Sequence, residues 1–163
     1  MKILLIGEYS NVHATLAKGL NRLGHETMVV SNGDDWKNYH RDIDVSRTYG
    51  PFGGLKLYAK LLTLLPKLRG FDVVQLINPM FFELKAERLR FFYDNLRRYN
   101  KHVVLGAFGM DYYWVHECIT RFPLRYSDFN IGKHVRTDEE SQRYIKDWVG
   151  TAKGDWCQYV AKD

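Results

Sequence analysis

Residues 2–13 have the sequence KILLIGEYSNVH, in which a continuous apolar run ends at a glycine and a polar turn follows. The residues from Ile3 to Ile6 are apolar without alternation, which is typical of a strand that is covered on both faces of a parallel sheet. Ligands of open α/β sheets bind outside the carboxyl ends of the strands, where the strand order switches. The pattern predicts a buried first strand with the functional site beside residues 8–13.

The following residues complete a β-α-β unit. A helix is predicted over Val12–Leu23, Gly24 provides its left-handed stop, and a second strand follows at Thr27–Ser31. Ser10 or Asn11 is expected to cap the helix by accepting a hydrogen bond from a free amide of the first turn. Strands joined in this way form a right-handed crossover.

The middle of the chain continues the alternation of strands and helices. The predicted elements are a long connection at 32–54, helices at 55–68 and 83–99, and strands at 72–77 and 102–107. The connection is expected to fold back over the carboxyl edge of the sheet, with apolar mass from Trp36, Tyr49 and Phe52. Pro66 should loosen the end of its helix, because proline lacks an amide and crowds the previous turn. The side chains predicted to face inward from the two helices are Leu55, Tyr58, Leu61, Leu62, Leu65 and Leu68, then Leu89, Phe92, Leu96 and Tyr99.

This order predicts the α/β class, with a Rossmann-like, doubly wound parallel sheet of four strands in the order 3-2-1-4. The length of 163 residues is typical of a single domain. A fifth strand beside the fourth is absent from the predicted elements. That absence favours a chain that is the front part of a longer protein, and the irregular segment 112–136 is the alternative cover for the exposed edge.

The last third of the chain is less regular. Thr137 and Glu140 have the spacing of a capping box, which starts a helix that Gly150 ends. Asp155 is predicted to cap a final short helix.

Composition excludes several classes of protein. The net charge is +5, but the basic residues are spread along helices without an arginine-rich run or motif, so no nucleic-acid partner is predicted. Two cysteines without metal-site spacing predict no metal and a reduced, cytoplasmic setting. The leucine density of residues 55–68 leaves peripheral contact with the inner face of the membrane as an alternative to a buried helix.

Residues 20–27, LNRLGHET, join the first helix to the second strand. They resemble the Leu-x-x-x-Gly-His-Glu-Val stretch of the family 4-like glycosyltransferases of the GT-B fold. Residues 71–74 at the third strand and Gly109-Met110-Asp111 after the fourth are similar to further segments of the N-terminal, acceptor-side domain of that family. The likeness covers most of residues 1–111.

The resemblance implies a retaining, metal-independent transferase with two Rossmann-like domains. Residues 1–163 would be the acceptor-binding half, and a C-terminal domain would bind the nucleotide-sugar donor, the only small molecule implied besides the acceptor. The acceptor would be a glycan or a lipid-linked molecule. The donor motif Glu-x-x-x-x-x-x-x-Glu has no counterpart here, so this chain alone is not expected to turn over.

The candidate site residues come from the carboxyl ends of the strands and from the resemblance. The substrate-binding candidates are Glu8, Tyr9, Ser10, Asn11, His13, Asn78, Gly109 and Asp111, and Asp111 is also the catalytic candidate. The first turn lacks the family's glycine pair, but a diphosphate could still lie against the first amides of helix one. Capping by Ser10 and Asn11, a surface position for His13 and a solvated Glu8 are the structural alternatives.

A stand-alone Rossmann-type module that binds a nucleotide or metabolite is the alternative function. Dinucleotide binding is disfavoured, because Gly-x-Gly-x-x-Gly is absent after the first strand and the second strand ends in Ser31-Asn32 without an acidic residue. A receiver-like signalling domain is disfavoured as well, because Glu8 stands alone and Asn78 replaces the required aspartate.

Overall fold

A computed structural model describes residues 1–162, and the chain divides into two compact units, Met1–Phe108 and Gly109–Asp163. The strands of the first unit are β1 (Lys2–Ile6), β2 (Glu26–Ser31), β3 (Ile43–Asp44), β4 (Val73–Leu76) and β5 (His102–Leu105). Its helices are α1 (Val12–Arg22), α2 (Gly53–Leu64) and α3 (Ala86–Tyr99), with 3-10 turns at Asp35–Lys37 and Leu65–Leu68.

The five strands form one parallel sheet in the order β3-β2-β1-β4-β5. The α/β class and the Rossmann-like, doubly wound sheet are therefore confirmed, and the order 3-2-1-4 is found with a fifth strand beside the fourth. The third strand is β3, which lies inside the connection predicted at 32–54. The strand predicted at 72–77 is the fourth and not the third, and it pairs with β1 and not with β2 as the predicted order required. Sequence patterning missed β3 because two residues are too few to show a period.

β1 lies at the centre of the sheet and of the core. Leu4, Leu5 and Ile6 have no solvent exposure, as the unbroken apolar run predicts. Ala17 of α1 packs with Ile3, Leu5 and Val29 on one face of the sheet. The backbone leaving β1 therefore starts from a rigid position, which is what a site at its carboxyl end requires.

The predicted loosening of α2 at Pro66 is confirmed, but the helix ends at Leu64 and not at Leu68, and its predicted inward face is partly wrong. The helix stops at Leu64 and continues as a 3-10 turn around Pro66. Leu57 and Leu61 are buried, whereas Leu55 and Leu62 are exposed. The leucines predicted for one face cover too wide an arc of the helix to be buried together.

Two other expectations about apolar side chains are wrong. Tyr99 is exposed, with the Arg69 guanidinium 3.9 Å from its ring centroid. The aromatics of the 32–54 connection do not cover the sheet edge, because Trp36 is 88% exposed and Tyr49 and Phe52 are exposed too. Spacing in the sequence predicts which apolar residues share a face, but the packing of neighbouring elements decides which of them are buried.

The second unit contains α4 (Tyr112–Thr120), a hairpin of β6 (Asn130–Ile131) and β7 (His134–Val135), α5 (Glu139–Trp148) and α6 (Ala152–Lys162). The segment at 112–136 is thus more regular than predicted. Both cysteines of this unit, Cys118 and Cys157, are buried free thiols.

The predicted helix caps of the second unit are wrong by one to four positions. Asp138 caps α5 in place of Thr137, and its carboxylate accepts hydrogen bonds from the Ser141 amide at 3.0 Å and from Arg136 Nε at 2.8 Å. These bonds hold the pKa of Asp138 well below its usual range. Asp155 lies inside α6, and Thr151 Oγ1 accepts the Gly154 amide at its start.

None of the described helices combines the length and apolar character needed to cross a bilayer.

Candidate functional site

Glu8 caps α1 from the turn that follows β1. Its Oε1 accepts the amides of Tyr9 at 2.9 Å and His13 at 3.1 Å, and its Oε2 accepts the amide of Ala14 at 2.9 Å. The side chain is almost fully buried. A carboxylate in this position is stabilised by the free amides and by the positive end of the helix dipole.

The predicted capping by Ser10 or Asn11 is therefore wrong. Asn11 occupies the N-cap position without a side-chain cap bond, and both residues have left-handed backbones, with φ of 50° and 67°. The Ser10 amide instead donates to Asp34 Oδ2 at 2.8 Å, and Lys37 Nζ donates to the same oxygen at 2.8 Å. Left-handed non-glycine residues are sparse in proteins and cluster at functional sites.

The capping by Glu8 changes what this turn can bind. The amides of His13 and Ala14, which would hold a diphosphate at a helix N-terminus, already bind a carboxylate. A phosphate there would have to displace Glu8 and would meet its negative charge. The predicted contact between a diphosphate and these amides is therefore disfavoured in this conformation.

His13 is fully buried in the first turn of α1, and not on the surface. Its Nδ1 lies 2.7 Å from the Gly7 carbonyl oxygen, so Nδ1 carries the hydrogen and donates a hydrogen bond to that oxygen. Its Nε2 has no hydrogen-bond partner among the described residues. Burial lowers the pKa of His13, and the Gly7 hydrogen bond and the charge of Glu8 offset this only in part. The imidazole is a packed, neutral group behind the turn.

This environment predicts a pH dependence of stability. Because the pKa of His13 is lower in the folded chain, the unfolded chain takes up this proton first as the pH falls below about 6.5. His13 thus contributes no pH dependence above that value and a progressive loss of stability below it, down to its folded pKa. We expect His13→Asn to show a smaller loss of urea midpoint than the wild type between about pH 7.5 and pH 5.5.

The exposed His102 provides the control, since His102→Asn should leave the wild-type slope unchanged. Parallel loss of stability in the wild type and in His13→Asn would show that burial of the neutral imidazole is not responsible.

A pocket opens at the carboxyl edge of the first unit. It has a volume of about 90 Å³. The residues that line it are Gly7, Glu8, Asn32, Val45, Ile77, Asn78, Met80, Phe81, Phe82 and Glu83. It therefore lies beside the ends of β1, β2 and β4, where an open α/β sheet binds its ligands.

Most polar groups around the pocket are hydrogen-bond acceptors. Glu83 Oε1 accepts from Asn32 Nδ2 at 2.8 Å, and Glu83 Oε2 accepts from the Arg47 amide at 3.1 Å. Asn78 Nδ2 donates to the Phe108 carbonyl oxygen at 3.3 Å, while Asn78 Oδ1 is buried without a partner among the described residues. A buried, unsatisfied acceptor is rare and marks a place for a water or ligand donor.

The structure brings together only some of the predicted site residues. Glu8 and Asn78 line the pocket, whereas Tyr9, Ser10, Asn11 and His13 do not. Gly109 and Asp111 belong to the second unit, where Gly109 has φ of 83° and Asp111 caps α4 through a 2.8 Å bond from the Trp114 amide.

Sequence reasoning missed Asn32 and Glu83. Asn32 directly follows β2 and was detectable as a polar residue at the carboxyl end of a strand. Glu83 was predicted as the first residue of the helix at 83–99, but α3 begins at Ala86, and Glu83 lies in the irregular segment after β4.

Comparison of the chain with protein-family models, with curated proteins and with solved structures finds no match.

Proposed function

We propose that Met1–Phe108 binds a hydroxylated, sugar-like acceptor at the carboxyl edge of its sheet. In this proposal the chain is the acceptor-binding half of a nucleotide-sugar glycosyltransferase and acts with a donor-binding domain on a glycan or lipid-linked acceptor. The observation that carries the proposal is a pocket rich in hydrogen-bond acceptors, with no basic residue among those that line it.

The lining groups favour ligands that donate hydrogen bonds. Glu8 and Glu83 present carboxylates, and Asn78 presents a carbonyl oxygen that has no partner within residues 1–162. A sugar hydroxyl donates hydrogen bonds to such groups, and hydrogen bonds to an ionised acceptor are stronger than those to a neutral one. A phosphate group carries negative charge at neutral pH, so both carboxylates would repel it.

The segments at 20–27 and 109–111 resemble segments of the family 4-like glycosyltransferases, and this resemblance supports a sugar transferase. Within that proposal, Asp111 of the second unit stays the catalytic candidate, as a group that stabilises charge developing during transfer. Its Oδ1 already accepts the Trp114 amide, which would hold the carboxylate in a defined orientation. No described group of three or more His, Cys, Asp and Glu side chains has metal-binding geometry.

The test is amide NMR of the chain titrated separately with maltose, UDP and NAD. We expect maltose to shift the amides of Asn78 and Glu83. Asn78→Ala should weaken that binding about tenfold, the usual effect of one lost hydrogen bond, and Asn38→Ala, outside the pocket, should not. Shifts of the His13 and Ala14 amides by UDP or NAD, without a maltose response, would instead support the nucleotide-binding module.

A further inference from the structure

α2 has a second apolar face that points away from the core. Leu57 and Leu61 are buried on the inner side. Leu55, Ala59 and Leu62 are exposed, and their spacing of four and three residues places them on one stripe of the helix. A helix that only packs on a sheet has a polar outer stripe, so this face is unusual.

The exposed stripe continues into the residue before the helix. Phe52, the N-cap of α2, is 66% exposed and lies three positions before Leu55, which is 59% exposed. Tyr49 in the preceding loop is fully exposed as well. We call the residues Phe52, Leu55, Lys56, Ala59, Lys60 and Leu62 the α2 outer face.

The segment of the chain that carries this face has charges of one sign, and an acidic group that interacts with it is Asp44, whose carboxylate is close enough for Lys60 to lower its pKa. Residues 45–71 contain no Asp or Glu, and their basic residues are Arg47, Lys56, Lys60, Lys67 and Arg69. Lys56 and Lys60 are exposed, and each directly follows a residue of the apolar stripe, Leu55 or Ala59. The preceding acidic residue, Asp44, is engaged by Arg41 Nε at 2.7 Å and Ser46 Oγ at 2.6 Å.

We propose that the α2 outer face docks on an anionic phospholipid surface. The helix lies in the plane of the interface, Phe52, Leu55 and Leu62 enter the boundary between headgroups and acyl chains, and the flanking lysines contact lipid phosphates. Lysine suits this position, because its apolar stem covers neighbouring apolar surface while its ammonium group stays in water. The one-sided positive charge is what selects a lipid surface over a second copy of the chain, whose matching face would repel it.

The docking surface is independent of the acceptor pocket. The outer face lies on α2, whereas the pocket is lined by residues at the carboxyl edge, and no residue belongs to both. Asn78→Ala should therefore leave lipid binding unchanged, so failure of either proposal can be recognised separately.

The test is co-sedimentation of the chain with vesicles of phosphatidylcholine alone and of phosphatidylcholine with about one-third phosphatidylglycerol. We expect binding to the anionic vesicles only. Lys56→Gln/Lys60→Gln should reduce the partition coefficient by about 25-fold, or about fivefold for each basic residue beside the surface. The matched control is Lys18→Gln/Arg22→Gln, which removes two exposed charges with the same spacing from α1 and should have no effect.

The apolar contribution has its own matched pair. Leu55→Ser should weaken vesicle binding at least tenfold, whereas Leu23→Ser, at an exposed leucine after α1, should not. All these positions are exposed, and circular dichroism checks that each variant folds. Equal binding to neutral vesicles, or equal losses in the control variants, would overturn the proposal. So would light scattering that shows a dimer dissociated by Leu55→Ser.

Discussion

Phe92→Ala is expected to lower the free energy of unfolding by about 3–5 kcal/mol, the usual result of removing a large buried aromatic side chain. Phe92 is 1% exposed. Its ring makes edge-to-face contacts with Tyr58, with centroids 5.4 Å apart, and with Phe82, 5.9 Å apart. These contacts join α2, α3 and the segment that lines the pocket, so the loss affects the whole unit. Urea unfolding followed by circular dichroism measures it.

The neighbouring residue supplies the control. Phe91 is 48% exposed and contacts the Phe92 ring edge-to-face, so Phe91→Ala removes the same atoms from the surface. We expect its cost to stay below about 1 kcal/mol. Because Phe82 lines the pocket, Phe92→Ala should also weaken maltose binding. Equal costs for the two variants would show that the aromatic contacts of Phe92 do not organise this core.

Glu8→Ala is expected to cost about 2–3 kcal/mol, more than an ordinary helix cap. The substitution leaves three backbone amides, those of Tyr9, His13 and Ala14, without their carboxylate partner at a nearly buried position. Glu8→Gln keeps an oxygen acceptor but loses the charge, so its cost should be smaller. Thermal and urea unfolding of the three proteins rank them.

The same variant tests the reason why phosphate is disfavoured at this turn. Without Glu8, the amides at the start of α1 form an open anion site. Sulfate should therefore raise the melting temperature of Glu8→Ala more than that of the wild type, since a ligand that binds only the folded state stabilises it. The same rise in both proteins would mean that Glu8 does not occupy an anion site.

Part of the fold could be predicted because its signals are local. The apolar run at Ile3–Ile6, the stop at Gly24 and the break at Pro66 each depend on a few neighbouring residues, and each is found in the structure. The two-residue strand β3 and the caps Glu8 and Asp138 could not be predicted in the same way. A short strand exists only through its partner, and several polar residues near a helix start compete to become its cap.

The candidate site, like the fold, could be predicted only in part. Glu8 and Asn78 were predicted because each lies within two positions of the end of a strand of a parallel sheet, and such strands end at a common edge. Glu83 could not be predicted, because it reaches the pocket through hydrogen bonds with Asn32 and the Arg47 amide, which are distant in the chain.

By itself, the sequence determined the parallel α/β architecture and the sheet edge beside which the pocket lies, because hydrophobic periodicity and glycine positions act over a few residues. Only the tertiary structure decided which polar groups remain available there. Once the chain folds, Glu8 binds the first amides of α1, His13 is buried, and Asn78 retains an oxygen that no group in the described part of the chain binds. Hydrogen-bond partners are chosen among residues far apart in the chain, and local patterns do not contain that choice.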